Sequence, residues 1–406
     1  MTPLTVTNSI SNAVAALGDG PLTESALAQH AFPLFSKVLA HKDVYLANHS
    51  LGRPLNQTGD DLAEAFNLWQ SKLDGAWEHW LAERENFRAR IAQLIGAPRA
   101  DCIVPKTAAG QGLRTVLNAM PGKPRVLSTR GEFDSLDVIL KQYTRCGRIE
   151  MLWSEADARG EFDVERLIAQ LDRSVDLVVV SQVMFMTGQI VEGLDRLATA
   201  CHRAGTRLLV DAYHAVGVIP VDVAAMGADF LIGASYKYLR GGPGAGYLYI
   251  SPEALSAGFQ PLDTGWFAKR DFFQFERPDP PVFQAGGDAF LEGTPPVFTW
   301  YQARAGQQFV LGVGVERLRA YGLDRLCRLQ EYLRECAVEA RSGDARHGAF
   351  LTVRHPHAME MPEKLAALGV RVDARGDTLR LAPDCLTRDE EMVRAAKAVA
   401  EVFAKI

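Results

Sequence analysis

Two residues with chemically useful side chains, Asp211 and Lys237, follow neighbouring apolar segments of the sequence. Asp211 comes directly after the β-type run 207–210, and Lys237 comes shortly after the run 230–234, ahead of the glycine-rich loop 241–246. In parallel sheets, ligands bind at the carboxyl ends of the strands. The sequence therefore predicts that the Asp211 carboxylate and the Lys237 amine face one ligand crevice.

An amine and a carboxylate at one site suit a particular cofactor chemistry. Pyridoxal-5′-phosphate (PLP) is held covalently by a lysine amine, and an acid beside its pyridine nitrogen keeps that nitrogen protonated so that the ring accepts electrons. Taken singly, an aspartate after a strand is more often a turn or cap residue, and a lysine beside glycines is more often a surface residue. Together, Lys237 and Asp211 predict a PLP site in which both are catalytic.

The elements that would position these two residues alternate along the middle of the chain. Apolar runs predict strands, and helical patterns lie between them. The predicted strands are 125–128, 177–180, 207–210, 230–234 and 246–250, and the helical patterns are 164–171 and 194–204. Strands that are apolar throughout and alternate with helices are typical of a parallel sheet covered on both faces. We therefore predict an α/β fold.

A chain of 406 residues exceeds one compact core, so more than one domain is expected. We predict an N-terminal segment, 1–60, that packs on the small domain, a large PLP-binding domain, 61–297, and a smaller α+β C-terminal domain, 298–406. Helical patterns cover 62–95 and 298–341, strand patterns cover 350–354 and 378–381, and a closing helix begins at residue 388. The segment 342–348 reads as a linker.

Composition and charge exclude several other classes of protein. The formal net charge is −5, whereas a nucleic-acid binder would normally be basic. The six cysteines are scattered without a C-x-x-C pair, which argues against a zinc site and favours a reducing compartment. No apolar run has the length of a membrane span, and the N-terminus lacks a signal-peptide pattern. We expect a cytoplasmic protein that binds neither nucleic acid nor membrane.

The segment from 208 to 250 resembles fold-type-I PLP enzymes of the class V aminotransferase group and, within that group, the kynureninases. The likeness rests on an Asp-x-x-His pattern, Asp211 and His214, and on a Tyr-Lys pair, Tyr236 and Lys237. It implies that His214 is a second contact to the cofactor ring and that Tyr236 contacts the phosphate. It also implies a large domain with a mainly parallel, seven-stranded-type sheet flanked by helices.

A helix start at 107–112 would supply the phosphate site, because its free N–H groups and dipole favour an anion. An ordinary threonine cap is the alternative for Thr107 alone. The family places its phosphate loop at this point, so the resemblance assigns Thr107 and Ala108 to the phosphate.

The resemblance also assigns Phe133 to stacking on the PLP ring. The acid that the family carries three residues after this phenylalanine is replaced by Leu136 here, and Asp134 or Asp137 is the expected substitute.

Two further loops resemble segments that reach the partner subunit's site in this dimeric family. They place Trp266 at the phosphate and Thr294 beside phosphate or substrate, where kynureninases have asparagine instead of Thr294. The resemblance therefore implies a homodimer with active sites at the subunit interface.

Three residues are assigned to the substrate, an amino acid. Arg380 matches the family arginine that binds the α-carboxylate, and a guanidinium suits a bidentate carboxylate pair. Asn48 lies in a loop resembling the family's Asn-Ser-Leu-Gly segment, which His49 interrupts here, and His79 matches a histidine that contacts the aromatic part of kynurenine.

Several reactions remain open for such a site. The resemblance to kynureninases implies hydrolytic Cβ–Cγ cleavage that releases alanine. In this hypothesis Lys237 is the base and Tyr236 is the proton donor. Transamination or epimerisation of another amino acid is the main alternative. Cysteine desulfuration is disfavoured because the segment 369–376 has no cysteine. A non-catalytic PLP-binding protein ranks last because Lys237 and Asp211 are both present.

Overall fold

The computed structural model describes residues 4–274 and 277–406. Its α-helices are α1 (Leu4–Ala16), α2 (Glu24–Ala26), α3 (Ser36–Leu39), α4 (Gln57–Lys72), α5 (Ala76–Leu94), α6 (Ala109–Ala119), α7 (Asp134–Arg145), α8 (Val164–Ala169), α9 (Leu194–Ala204), α10 (Val223–Met226), α11 (Pro252–Ser256), α12 (Phe298–Val313), α13 (Val315–Glu335), α14 (Met361–Ala367) and α15 (Asp389–Phe403). Its strands are β1 (Val44–Tyr45), β2 (Ile103–Lys106), β3 (Arg125–Thr129), β4 (Glu150–Ser154), β5 (Leu177–Ser181), β6 (Arg207–Asp211), β7 (Phe230–Ala234), β8 (Gly246–Ile250), β9 (Leu351–Arg354), β10 (Val370–Arg371), β11 (Asp373–Arg375) and β12 (Thr378–Leu381).

The main sheet has seven strands within the described residues, in the order β2-β8-β7-β6-β5-β3-β4. Every pairing among β3 to β7 is parallel, and β8 runs antiparallel to both of its neighbours. Strands β5, β7 and β8 are buried at every position, as expected for a sheet covered on both faces. The predicted α/β fold with a mainly parallel seven-stranded sheet is confirmed.

Two strands of this sheet, β2 and β4, were not predicted, and they lie at its two edges. Strand β2 contains Pro105, which an edge strand tolerates because it leaves one row of N–H groups unpaired. Strand β4 is only partly buried over most of its length, so it lacks the continuous apolar run of the central strands. The sequence pattern that predicts a strand is therefore weaker in these edge strands than in the central strands.

Each of the two long helical patterns is divided in the structure. The pattern 62–95 becomes α4 and α5, which meet at Leu73, where φ is +50°. The pattern 298–341 becomes α12 and α13, separated by Gly314 at φ +92°, a backbone conformation that glycine adopts at little cost. Helix α13 ends at Glu335, so the prediction of helix was wrong for residues 336–341. Both divisions change the direction of the chain at a residue outside the right-handed helical region.

The C-terminal part has its own core. Strands β9, β11 and β12 form an antiparallel sheet, and β1 from the N-terminal segment pairs with β10. Val44 and Leu46 are buried in the same apolar cluster as Leu351 and Leu379. Helix α12, by contrast, packs against α4 and α5. The predicted boundaries at 60/61 and 297/298 stay predictions.

Among the described residues, no helix is both long enough and apolar enough to cross a membrane.

Candidate active site

Lys237 lies in the turn after β7 and is buried, with 5% of its surface exposed. Its Nζ is 2.6 Å from Nε2 of His214 and 5.6 to 5.8 Å from the ring centres of Phe133, Tyr213 and Tyr236. Burial lowers the pKa of the Lys237 amine, although the nearby Asp211 carboxylate opposes the shift. The amine is therefore more easily deprotonated than an ordinary lysine, as a nucleophile or base requires.

Asp211 is the last residue of β6 and is also buried. Its Oδ1 accepts a hydrogen bond from the backbone N–H of Tyr213 at 2.9 Å. Burial raises the pKa of Asp211, and the charge of Lys237 acts in the opposite direction. The two predicted catalytic groups therefore lie close enough for each charge to act on the other.

His214 and Tyr236 frame the Lys237 amine. Burial lowers the pKa of His214 well below its usual value, so the ring is neutral, and its Nδ1 has no partner among the described residues. Burial raises the pKa of Tyr236 to about 12, so its hydroxyl keeps its proton and is suited to donate.

The predicted phosphate cradle lies where β2 meets α6. Ala108 is the N-cap of α6 in an extended conformation, and the first-turn N–H groups of a helix have no intrahelical partner. Gln111 Oε1 accepts hydrogen bonds from the backbone N–H and the hydroxyl of Thr107, at 2.8 and 3.1 Å. Thr107 and Ala108 are both exposed in the single chain.

Phe133 is the N-cap residue of α7, and its ring packs edge-on against Phe185 with centroids 5.4 Å apart. Asp134 is exposed, and Asp137 pairs with Lys141 at 2.6 Å on the helix surface.

The buried carboxylate near the start of α7 is that of Glu132, which was not among the predicted site residues. Its oxygens accept hydrogen bonds from the Thr129 hydroxyl at 2.6 Å and from the N–H and hydroxyl of Ser181 at 3.2 and 2.6 Å. Ser181 is the register neighbour of Asp211 across β5 and β6. Burial raises the pKa of Glu132 to about 7, and the charge of Asp211 adds to the shift. A glutamate in an R-G-E-F-D run gives no sequence signal that it is buried.

Replacing Glu132 with glutamine should change how stability depends on pH. The folded-state pKa of about 7 is above the ordinary 4.5, so the stability that the protonated group contributes is full below pH 4.5 and is lost as the pH rises to about 7. Glutamine does not titrate, so Glu132→Gln does not undergo this loss. The unfolding free energy of the variant minus that of the wild type should therefore rise by up to about 3 kcal/mol between pH 4.5 and pH 7. Urea unfolding at pH 5 and pH 8 measures the difference, with the exposed Glu192→Gln as control. An equal pH dependence in wild type and Glu132→Gln would contradict this assignment.

The N-terminal loop docks directly on the backbone of the Tyr-Lys pair. The N–H of Gly52 donates to the Tyr236 carbonyl at 2.9 Å. A Cβ at Gly52 would lie 1.9 Å from the carbonyl oxygen of Lys237. The same loop carries Asn48, whose Nδ2 donates to the Ala382 carbonyl at 2.7 Å and whose Oδ1 is buried without a partner among the described residues.

Gly52→Ala should therefore displace the loop or the lysine turn. We expect a loss of about 1–3 kcal/mol in unfolding free energy, the usual result of overpacking, together with weaker cofactor retention. Thermal unfolding and the visible absorption of the bound cofactor measure the two effects. Gly59→Ala in α4 is the matched control, because a Cβ there meets open space. Equal behaviour of the two variants would refute the predicted clash.

Arg380 lies on β12 and is buried, with its guanidinium 5.7 Å from the ring centre of Phe350. It forms an ion pair with Asp373, whose carboxylate is 3.6 Å from Nε2 of His49. His49 is fully buried, and burial lowers its pKa to about 4. The charges of Arg380, Asp373 and Lys237 all act on the pKa of His49, so these groups lie near one another.

Comparisons with known proteins identify the family of this chain. The family model for aminotransferase class V matches residues 59–378, more than half of the chain. The chain belongs to the class V aminotransferase family. It is also similar to the kynureninases of Deinococcus radiodurans and Pseudomonas fluorescens, at 26% and 27% identity over 350 residues that cover 82% of each chain.

Other proteins that are similar to this chain carry different names. An uncharacterized aminotransferase of Bacillus subtilis, YcbU, is 26% identical over 329 residues, covering 80% of this chain and 85% of that protein. Among solved structures, the cysteine desulfurase CsdA of Escherichia coli superposes with a TM-score of 0.80 at 19% identity, covering 95% and 100% of the two chains. A cystine C-S lyase in complex with cysteine persulfide superposes with a TM-score of 0.81 at 18% identity, covering 90% and 99%. These structures share the fold.

The chain is a PLP-dependent enzyme, and groups at the candidate site suit that cofactor. Lys237 offers an amine of lowered pKa, Asp211 offers a carboxylate for the pyridine nitrogen, and α6 offers a helix start for the phosphate. The unpartnered Nδ1 of His214 is a polar atom that a bound cofactor or substrate could satisfy.

The three remaining predicted site residues are His79, Trp266 and Thr294. His79 is in α5, where its carbonyl accepts from the Tyr301 hydroxyl at 3.4 Å, and Trp266 packs against Phe267. Thr294 lines, with Thr107, a cavity of about 370 Å³ at the phosphate cradle. Their roles, like those of the other site residues, stay predictions.

Proposed function

We propose that this protein cleaves the Cβ–Cγ bond of a kynurenine-type amino acid hydrolytically and releases alanine. The observation that carries the proposal is the surrounding of the Lys237 amine, with His214 at 2.6 Å and the Phe133 and Tyr236 rings at 5.6 Å. The similarity to kynureninases over 82% of the chain supports the same reaction.

PLP supplies an electron sink that makes the Cα–H bond of a bound amino acid acidic. In our proposal Lys237, with its lowered pKa, takes that proton. Asp211 keeps the pyridine nitrogen protonated from its buried position. Water supplies the hydroxyl that the γ-carbonyl carbon gains as the Cβ–Cγ bond breaks. Tyr236, whose pKa of about 12 keeps its hydroxyl protonated at neutral pH, donates a proton to the β-carbon, which becomes the methyl group of alanine. Arg380 binds the α-carboxylate and orients the substrate.

Transamination or epimerisation of another amino acid is the second candidate. It is supported by the aminotransferase-named relative and by Leu136, which is buried where kynureninases carry an acid. Cysteine desulfuration has less support, because residues 369–376 contain no cysteine. The segment includes β10, which pairs with β1, and β11, which pairs with β12. The desulfurase neighbours are 19% identical and speak only for the fold.

One assay distinguishes these reactions. The PLP-loaded enzyme is incubated with kynurenine or 3-hydroxykynurenine, with the Lys237→Ala variant as control. Our proposal predicts equimolar alanine and the matching anthranilate from the wild type alone. Absence of alanine, with transfer of the amino group to an added keto acid, would instead establish aminotransferase activity.

We also propose that the active form is a homodimer. In the single chain the phosphate cradle at Thr107 and Ala108 is exposed, and large apolar side chains such as Trp69 and Leu73 are exposed on and beside α4. Light scattering combined with an activity assay should show a dimer. A fully active monomer would contradict the proposal.

A further inference from the structure

Arg380 is held on two sides by its own chain. Asp373 lies opposite Arg380 in the antiparallel pair of β11 and β12. Nε and Nη2 of Arg380 both donate to Oδ1 of Asp373, at 3.0 and 2.5 Å, and Nη1 donates to the carbonyl oxygen of Phe185 at 2.6 Å. The guanidinium plane is therefore fixed before a substrate binds.

The number of donors decides what this arrangement leaves free. A guanidinium has five N–H groups, one on Nε and two on each Nη. The three hydrogen bonds of Arg380 use one donor on each nitrogen. One N–H remains on Nη1 and one on Nη2. Two N–H groups on neighbouring nitrogens are what a bidentate carboxylate needs.

The charges at this end of the site favour the same role. Arg380 is 4% exposed, and an unpaired guanidinium at such a depth would be costly. Burial acts against ionisation of Asp373, but His49 and Arg380 nevertheless hold the pKa of Asp373 far below its usual range. Asp373 is therefore an ionised partner that compensates Arg380 in the free enzyme.

We propose that Asp373 is a positioning residue, which orients Arg380 by hydrogen bonds so that its two remaining N–H groups receive the α-carboxylate of the substrate. The inference rests on the proposed role of Arg380 as the carboxylate-binding residue. It makes Asp373 a part of substrate recognition that does not itself touch the substrate.

A purely electrostatic role for Asp373 predicts the opposite effect of its replacement on carboxylate binding. If the aspartate merely reduced the positive charge of Arg380, then every neutral replacement would strengthen carboxylate binding. If it positions Arg380, the replacement must keep an acceptor oxygen at the same place. Asparagine retains such an oxygen, whereas alanine and serine do not reach Arg380.

The test measures preference for a carboxylate, using the visible spectrum of the PLP-loaded enzyme to obtain dissociation constants. L-alanine is compared with ethylamine, and kynurenine with kynuramine, because each amine lacks only the carboxylate. The ratio of the two dissociation constants should fall by about tenfold or more in Asp373→Ala and Asp373→Ser, as expected when a binding arginine is misplaced. It should stay within about threefold of wild type in Asp373→Asn.

Three further variants make the result interpretable. Asp43→Asn removes the carboxylate of an exposed ion pair with Arg371 and should leave the ratio unchanged. Arg380→Ala should abolish the preference, and adding Asp373→Ala to it should have no further effect. A wild-type ratio in Asp373→Ala and Asp373→Ser, or an equal loss in Asp373→Asn, would overturn the positioning role. An unchanged ratio in Arg380→Ala would overturn it together with the Arg380 assignment. The alanine–ethylamine pair is read without kynurenine turnover, so failure of the cleavage proposal is seen separately.

Discussion

Lys237→Ala should lose the covalent bond to the cofactor and lower kcat by at least about 1,000-fold, the range expected for removing a general acid–base group. Lys237 is the amine that lies 2.6 Å from His214 and is surrounded by three aromatic rings. Alanine cannot bond to the cofactor aldehyde or accept the Cα proton. The visible band of the lysine-bound cofactor and the rate of product formation measure the two losses.

Lys141→Ala is the matched control for this variant. Lys141 is an exposed lysine that pairs with Asp137 on the surface of α7. It should keep both the visible band and the wild-type rate. Retention of the band in Lys237→Ala would mean that another lysine carries the cofactor.

Asp211→Asn should leave the cofactor bonded to Lys237 but lower kcat by about 100-fold or more, as when a preorganised charge is removed from an active site. Asparagine keeps the shape of the side chain, and its oxygen can still accept the N–H of Tyr213. It cannot carry the negative charge that keeps the pyridine nitrogen protonated. The expected pattern is therefore cofactor retention with a large loss of turnover.

Asp195→Asn, an exposed aspartate in the first turn of α9, controls for a general effect of removing a carboxylate. It should keep the wild-type kcat. An Asp211→Asn enzyme with nearly wild-type kcat would contradict the role of Asp211 at the cofactor ring.

The central strands and the cofactor class were predictable because their signals are local. Continuous apolar runs give β5, β6 and β7. Asp211 ends β6 and Lys237 follows β7, at a spacing that resembles a known family. The family membership and the cofactor expected from that resemblance are confirmed. The edge strand β4 is only partly buried and was missed for that reason.

The remaining site features depend on contacts between distant residues. Glu132 is buried because β5 brings Ser181 beside it, and Asp373 meets Arg380 only through the register of β11 and β12. An acidic residue in a sequence does not show which partner it has. For the same reason Asp134 and Asp137 were plausible substitutes for the family acid, whereas the fold leaves them on the surface of α7.

The lysine that carries the cofactor is the most direct test of the proposed active site. The PLP-loaded enzyme is reduced with borohydride, digested and mapped by mass spectrometry. We predict the reduced cofactor on the peptide that contains Lys237 and on that lysine. Attachment to another lysine, such as the buried Lys106 at the phosphate cradle, would contradict the assignment of the active site.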